Sequence, residues 1–266
     1  MCMPGCREAV SRALSRRGFF GGAAATAFAA TPAAAQRTFT GAIDLTHTLS
    51  PAFPTFFGVP GIEIERRYTL RKDGANVNWW HVLEHAGTHI DAPIHYAENG
   101  ASIEAIPADQ LVVPLAVVDV SAKAARNADY ALTRQDLIAW EERHGRLPDG
   151  CCVAMHSGWA RYANDAARYS GKDAAGVFHF PGIYPETAEL MLTERRIVGL
   201  AVDTLSLDPG PSRDFRTHAT WLPAGRWGIE NIANLEQLPP TGATLIVGVP
   251  KVQGASGAPS RVFALV

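Results

Sequence analysis

The sequence predicts a single α/β domain with a mixed β-sheet and helices on its outside. Three observations point there. Eight short runs rich in Val, Ile and Leu are bounded by Gly, Pro or Asp. Helical patterns lie between some of these runs. After Ala35 there is no repeat, low-complexity tract or linker that would split the chain. The 266 residues are 47% hydrophobic and 19% charged, enough apolar material for a true core and unlike a disordered chain. A formal net charge of −2 supplies no basic field for nucleic acid.

The N-terminus comes first and is read as an address rather than as fold. Ser15-Arg16-Arg17-Gly18-Phe19-Phe20 precedes a Gly/Ala-rich stretch that ends at Ala33-Ala34-Ala35. This pattern matches a twin-arginine export signal with a small-residue cleavage site. The stretch lacks the Leu/Ile/Val density of a membrane anchor. Residues 1–35 are therefore expected to leave the mature chain, which is periplasmic or otherwise exported and has no membrane attachment. They carry Arg7, Arg12, Arg16 and Arg17 against Glu8, so the remaining domain, 36–266, carries −5. Cys2 and Cys6 leave with them. Cys151 and Cys152 are adjacent and could be bridged only under strain, so no structural disulfide is expected.

Strands are predicted over 42–49, 62–70, 79–84, 115–120, 151–155, 197–202, 244–249 and 262–266. Thr133 reads as the N-cap of a helix with Asp136 at its third position, Leu137, Ile138 and Trp140 as its apolar face, and Gly145 as its stop. A second helix is predicted over 185–195 with Ala188, Leu190 and Leu192 inward, and a short one after Trp159.

The most informative segment is Glu84-His85-Ala86-Gly87-Thr88-His89-Ile90-Asp91-Ala92-Pro93-Ile94-His95. On a helix His85 and His89 would share a face while Asp91 and His95 pointed elsewhere, and Gly87 and Pro93 oppose a helix. On an extended chain all four are separated by even steps and point to one side. A straight strand would hold His85 and His89 about 13 Å apart, too far for joint ligation. The expectation is therefore a strand ending near His85, a tight bend at Gly87–Thr88, a loop carrying His89 and Asp91, and Pro93 setting His95 beside them. Imidazole and carboxylate donors without thiolate suit zinc, manganese or ferrous iron, with Zn2+ the first choice and Mn2+ the second.

The pattern His85-x-Gly-Thr-His89-x-Asp91-x-Pro93-x-His95 resembles the signature of the cyclase-like metal-dependent hydrolases, a family that includes kynurenine formamidase and isatin hydrolase. Weaker blocks extend the resemblance over most of the domain: Asp44-Leu45-Thr46, Ser157-Gly158-Trp159, Pro181-Gly182-Ile183 and the stretch from Gly199 to Asp208. The resemblance implies a barrel-like core of the swivelling β/β/α architecture. It also implies that His85, His89 and Asp91 bind a first metal, and that Asp91 bridges to a second held with His218 and Glu230. Isatin hydrolase has a glutamine at the last of these positions and one manganese, so Glu230 leans towards the two-metal type; one or two ions are expected. Read alone, Glu230 is equally an ordinary exposed glutamate near a helix.

By the same resemblance His95 is an acid/base group. A bound metal brings a water's pKa towards 7, and an imidazole can carry the proton to the leaving nitrogen. Phe56-Phe57-Gly58 stands where relatives have a Trp-Pro-Gly that contacts an aryl substrate. Phe56 and Trp80 are accordingly the candidate substrate-binding aromatics, with core packing the competing role. The leading expectation is cleavage of the C–N bond of a small aryl or cyclic amide in the manner of kynurenine formamidase (an arylformamidase). The alternatives are an isatin-hydrolase-like opener of a cyclic amide and a non-catalytic periplasmic binder of metal or ligand. Retention of His95 speaks against a mere binder. A homodimer or homotetramer is expected from related proteins. Asp203 and Asp208 read as structural turn residues.

Overall fold

Each of the eight predicted apolar runs contributes a strand in the computed structural model, which describes residues 38–266. The export signal expected at 1–35 lies outside the described residues. In chain order the strands are β1 (Ala42–Asp44), β2 (Ile62–Tyr68), β3 (Val77–Val82), β4 (His89–Asp91), β5 (Val112–Asp119), β6 (Ala131–Leu132), β7 (Cys152–His156), β8 (Gly182–Ile183), β9 (Gly199–Val202), β10 (Trp227–Glu230), β11 (Thr244–Gly248), β12 (Gly257–Pro259) and β13 (Arg261–Leu265). The helices are α1 (Leu70–Asp73), α2 (Ser121–Ala124), α3 (Arg134–His144), α4 (Ala166–Ser170), α5 (Pro185–Thr193) and α6 (Arg216–Trp221).

Nine strands form one sheet in the order β1-β13-β11-β5-β7-β9-β10-β4-β12. Strands β5, β7, β9 and β10 run parallel in its middle. The pairs towards both edges are antiparallel, so the sheet is mixed. Strand β12 lies at one edge, and after Ser260 alone the chain enters β13, second from the other edge. The Ser260 N–H also donates to the Thr88 carbonyl at 2.9 Å. Such an order is possible only if the sheet curls on itself, which gives the barrel-like core.

Alternation along β5 shows the two faces. Val113, Leu115 and Val117 join one apolar cluster with Leu45, Ile90, Ile229 and Leu245. Ala116 and Val118 join another, covered by Leu137 and Trp140 of α3 and by Ala188, Leu190 and Met191 of α5. Helix α3 begins with the expected capping box: the Asp136 N–H donates to the Thr133 hydroxyl oxygen, and the Asp136 carboxylate accepts the Thr133 N–H. Gly145 ends the helix. One detail differs from the sequence reading: Ile138 is 44% exposed. On α5 Met191 is buried beside Ala188 and Leu190, and Leu192 is partly buried against the same cluster. Helix α3 thus packs on the sheet through a narrower stripe than its apolar residues alone imply.

Five short strands, β4, β6, β8, β10 and β12, were not predicted. Segment 89–91, expected as a loop, is β4, held between β10 and β12. Strands β6 and β8 span two residues, β4 and β12 three and β10 four, and β4 and β10 carry polar site residues, so none is long enough to show an apolar period. Cys151 and Cys152 are both free and buried, as expected.

Candidate metal centre and its cavity

The site is built around β4, one strand in from the β12 edge of the sheet. Strand β3 ends at Val82, and the chain then bends through Gly87, whose φ of 63° lies in the left-handed region that glycine tolerates. The bend turns His85 back towards Asp91, so that His85 Nδ1 and Asp91 Oδ1 are 2.7 Å apart. Antiparallel pairing of β4 with β10 sets Glu230 opposite His89. His218 arrives on α6, and the short 3-10 turn at Pro93–His95 stacks His95 on His85 with ring centroids 3.9 Å apart. All five expected ligands and His95 are thus brought into one place.

Their protonation can be read from their outer partners. His89 donates Nδ1–H to the Gly87 carbonyl at 2.9 Å. His218 donates Nδ1–H to Asp208 at 2.6 Å. In each neutral ring the bare nitrogen is therefore Nε2. His89 Nε2 lies 3.3 Å from Asp91 Oδ1 and 3.4 Å from Glu230 Oε2. His218 Nε2 lies 3.5 Å from Asp91 Oδ2 and 3.1 Å from Glu230 Oε1. These are acceptors facing acceptors, and His89 Nε2 and Asp91 Oδ2 are buried without a hydrogen-bond partner. Such a group is stable only with a proton or a cation at its centre. Donors about 2.1 Å from a tetrahedrally held ion lie roughly 3.4 Å from each other, and for an octahedral ion roughly 3.0 Å. Three of the four separations fall in that range and the fourth, 3.5 Å, lies just above it. The donors present fit a divalent cation.

The same field shows in the pKa values of the metal-free chain. Burial alone would lower the His89 pKa, but Asp91 and Glu230 raise it to about 9. His218 is likewise raised well above the usual imidazole value, its burial outweighed by Asp208, Asp91 and Glu230. Asp91 is held well below the usual carboxylate range despite its burial, chiefly by His218, His85 and His89. His95 behaves oppositely: burial pushes it down to about 4 against the pull of Asp91, so it is neutral at ordinary pH.

Two groupings of donors share Asp91. His89, Asp91 and Glu230 form one buried set, with His218 Nε2 beside Glu230. His85, Asp91 and His95 form a second. Asp91 is common to both, but His85 and His89 fall in different sets, and His95 stands where it can touch the second. Glu230 is 6% exposed on a strand, which overturns its reading as an exposed glutamate near a helix.

A cavity of about 240 Å3 opens beside these groups, lined by His85, His95, His218 and Glu230 on one side and by Phe56, Tyr96 and Phe215 on the other. Phe56 stacks on Phe178 at 4.6 Å and meets Phe215 edge-on. Trp80 is not in this wall. It is 67% exposed on β3 and lines a separate hollow of about 740 Å3 between the β2–β3 hairpin and β12.

The Cyclase family profile matches residues 43–209. The chain belongs to the cyclase family of hydrolases. It is 32% identical to isatin hydrolase from Roseibium aggregatum over 84% of this chain and 91% of that protein. It is 28% identical to kynurenine formamidase from Salinibacter ruber, over 82% and 94% respectively. Isatin hydrolase A from Ralstonia solanacearum superposes with a TM-score of 0.80 at 37% identity, covering 85% of this chain and 92% of that one.

Sequence reading missed Asp208. It is no mere turn residue: its carboxylate accepts the backbone N–H groups of Thr217 and His218 as well as the His218 ring proton. The spacing of ten residues from His218 carries no periodic signal that would reveal this. Asp203 does serve structure, accepting the Ser157 and Trp159 N–H groups.

Proposed function

We propose that this chain is a metal-dependent hydrolase that cleaves the C–N bond of a small aryl or cyclic amide. The convergence of His89, Asp91, His218 and Glu230 beneath an aromatic-walled cavity supports this reading most strongly. A divalent cation bound by those donors and His85, zinc or manganese, would polarise a carbonyl and lower the pKa of a water. The chain's own groups supply the rest. Phe56, Tyr96 and Phe215 present rings against which a planar aryl group can lie. His95, neutral and at the cavity wall, takes the proton of the attacking water on a ring nitrogen. It returns that proton to the leaving nitrogen as the C–O bond replaces the C–N bond.

Two substrates follow from the family. The greater identity to isatin hydrolases favours a cyclic amide, while a carboxylate at Glu230 favours the arylformamidase type. The test is metal-depleted protein reloaded with Zn2+ or Mn2+ and assayed on isatin and on N-formylkynurenine. Metal-restored hydrolysis of either supports the proposal, and stoichiometric metal with neither activity removes both substrates. We further propose that the protein works as a homodimer or homotetramer. Every residue of strands β2 and β3 except Ile62 is exposed, including Ile64, Trp79, Trp80 and Val82, and a two-stranded sheet is marginal alone. A monomer by light scattering would remove that proposal.

A further inference from the structure

His85 differs from the other two imidazoles in which nitrogen it turns inward. His89 and His218 turn Nε2 to the centre, whereas His85 turns Nδ1 to Asp91 and Nε2 outward to Ser256 Oγ, 3.0 Å away. Ser256 in turn stands 2.6 Å from Glu84 Oε2 through its hydroxyl and 3.2 Å through its backbone N–H. A hydroxyl has one proton. At 2.6 Å from a carboxylate oxygen it must be spent there, since two bare oxygens at that distance would repel. Ser256 Oγ can then only accept, so the His85 proton must sit on Nε2. Nδ1 is then the nitrogen turned to the site, 2.7 Å from Asp91 Oδ1, a contact that needs a proton or a cation between the two atoms.

The backbone reinforces this. Gly257 pairs with Asp91 across β12 and β4. A Cβ on Gly257 would lie 2.5 Å from His85 Cε1 and 2.9 Å from its Nδ1, so the ring rests flat on the glycine. Ser256 and Gly257 together form a seat that fixes both the tilt of the ring and its tautomer.

We propose that Glu84 and Ser256 are positioning residues that lock His85 with its proton on Nε2, making it an Nδ1 donor to a site whose other imidazoles are Nε2 donors. This rests on the cation-binding reading above only for its consequence, since the Ser256–Glu84 contact that places the proton on Nε2 is present in the metal-free chain. The relay also explains why Glu84, directly before the histidine pattern, is a carboxylate. It holds a charge against the outer side of the ring in the manner of the partners that orient metal-binding histidines.

The experiment is a long-range 1H–15N spectrum of the metal-free full domain, comparing the parent with Ser256→Ala and Ser256→Thr. The parent should show a His85 Nε2–H, whether the ring is neutral or charged, and so should Ser256→Thr, which keeps the hydroxyl. Ser256→Ala should let the neutral ring populate the other tautomer. A bare Nε2 in the parent overturns the proposal, as does an unchanged tautomer in Ser256→Ala. Zinc alone is then titrated in competition with a chromophoric chelator. Ser256→Ala should bind roughly 10- to 100-fold more weakly and Ser256→Thr like the parent. Equal loss in both variants would make Ser256 a packing residue. Failure of the parent to bind zinc would instead strike the cation reading and leave the spectrum as the judge of the relay.

Discussion

Asp208 offers the sharpest test of how the centre is held. Its two oxygens collect the Thr217 N–H at 2.8 Å, the His218 N–H at 3.1 Å and the His218 Nδ1–H at 2.6 Å. Asp208→Asn keeps the size but leaves one accepting oxygen, so the amide NH2 must face at least one of those donors. Hydrogen bonds to a charged group contribute about 1.5–3 kcal/mol each, and the ring bond is the shortest of the three. Loss of that bond frees the imidazole to rotate or to move its proton to Nε2, the nitrogen that must stay bare. The expected result is a fall in zinc affinity of about 10- to 100-fold, or roughly 1.4–2.7 kcal/mol. A competition titration on purified protein measures it, with the melting temperature of the metal-free protein as control. If affinity stays within about twofold while the melting temperature falls, Asp208 serves the fold alone and the reasoning fails.

The other predictions follow from the same groups. His95→Ala should lower turnover by about 10²- to 10⁴-fold and leave the metal content unchanged; loss of metal would make His95 a ligand of the second donor set. In metal-free protein the His89 pKa of about 9 lies above its ordinary 6.5. Its contribution to stability is therefore complete below pH 6.5 and disappears as pH rises through about 9. Thermal melts of chelator-treated protein should show that decline, and a flat profile from pH 6 to 10 would contradict it. Burial pushes the Cys151 thiol up to about 12 and raises the Cys152 thiol well above its usual range. The native protein should therefore resist alkylation at pH 8 and react only once unfolded; rapid labelling of the native chain would show that these strands open.

Much of the site was legible because it is local. The even spacing from His85 to His95 and the glycine at the bend survive folding unchanged, since both depend on neighbours a few residues away. The capping box at Thr133 is legible for the same reason. What was not legible depends on pairing across the chain. β4 becomes a strand only because β10 and β12, more than 130 residues later, supply its hydrogen bonds. That pairing buries Glu230 opposite His89 and places Ser256 and Gly257 against His85. The division of donors into two sets about Asp91 likewise follows from the turn of each ring, which Gly87, Ser256 and Asp208 decide and no spacing encodes. Trp80, close to the cluster in sequence, is carried away from the cavity by the β2–β3 hairpin and faces a different hollow.

The central claim is that His89, Asp91, His218 and Glu230 enclose a divalent cation. Elemental analysis of the purified domain after exhaustive dialysis, beside a Glu230→Ala variant, tests it most directly. The account predicts at least about one zinc or manganese per chain in the parent, reduced in the variant by removal of one buried carboxylate donor. A parent that retains no metal under any loading condition would contradict it.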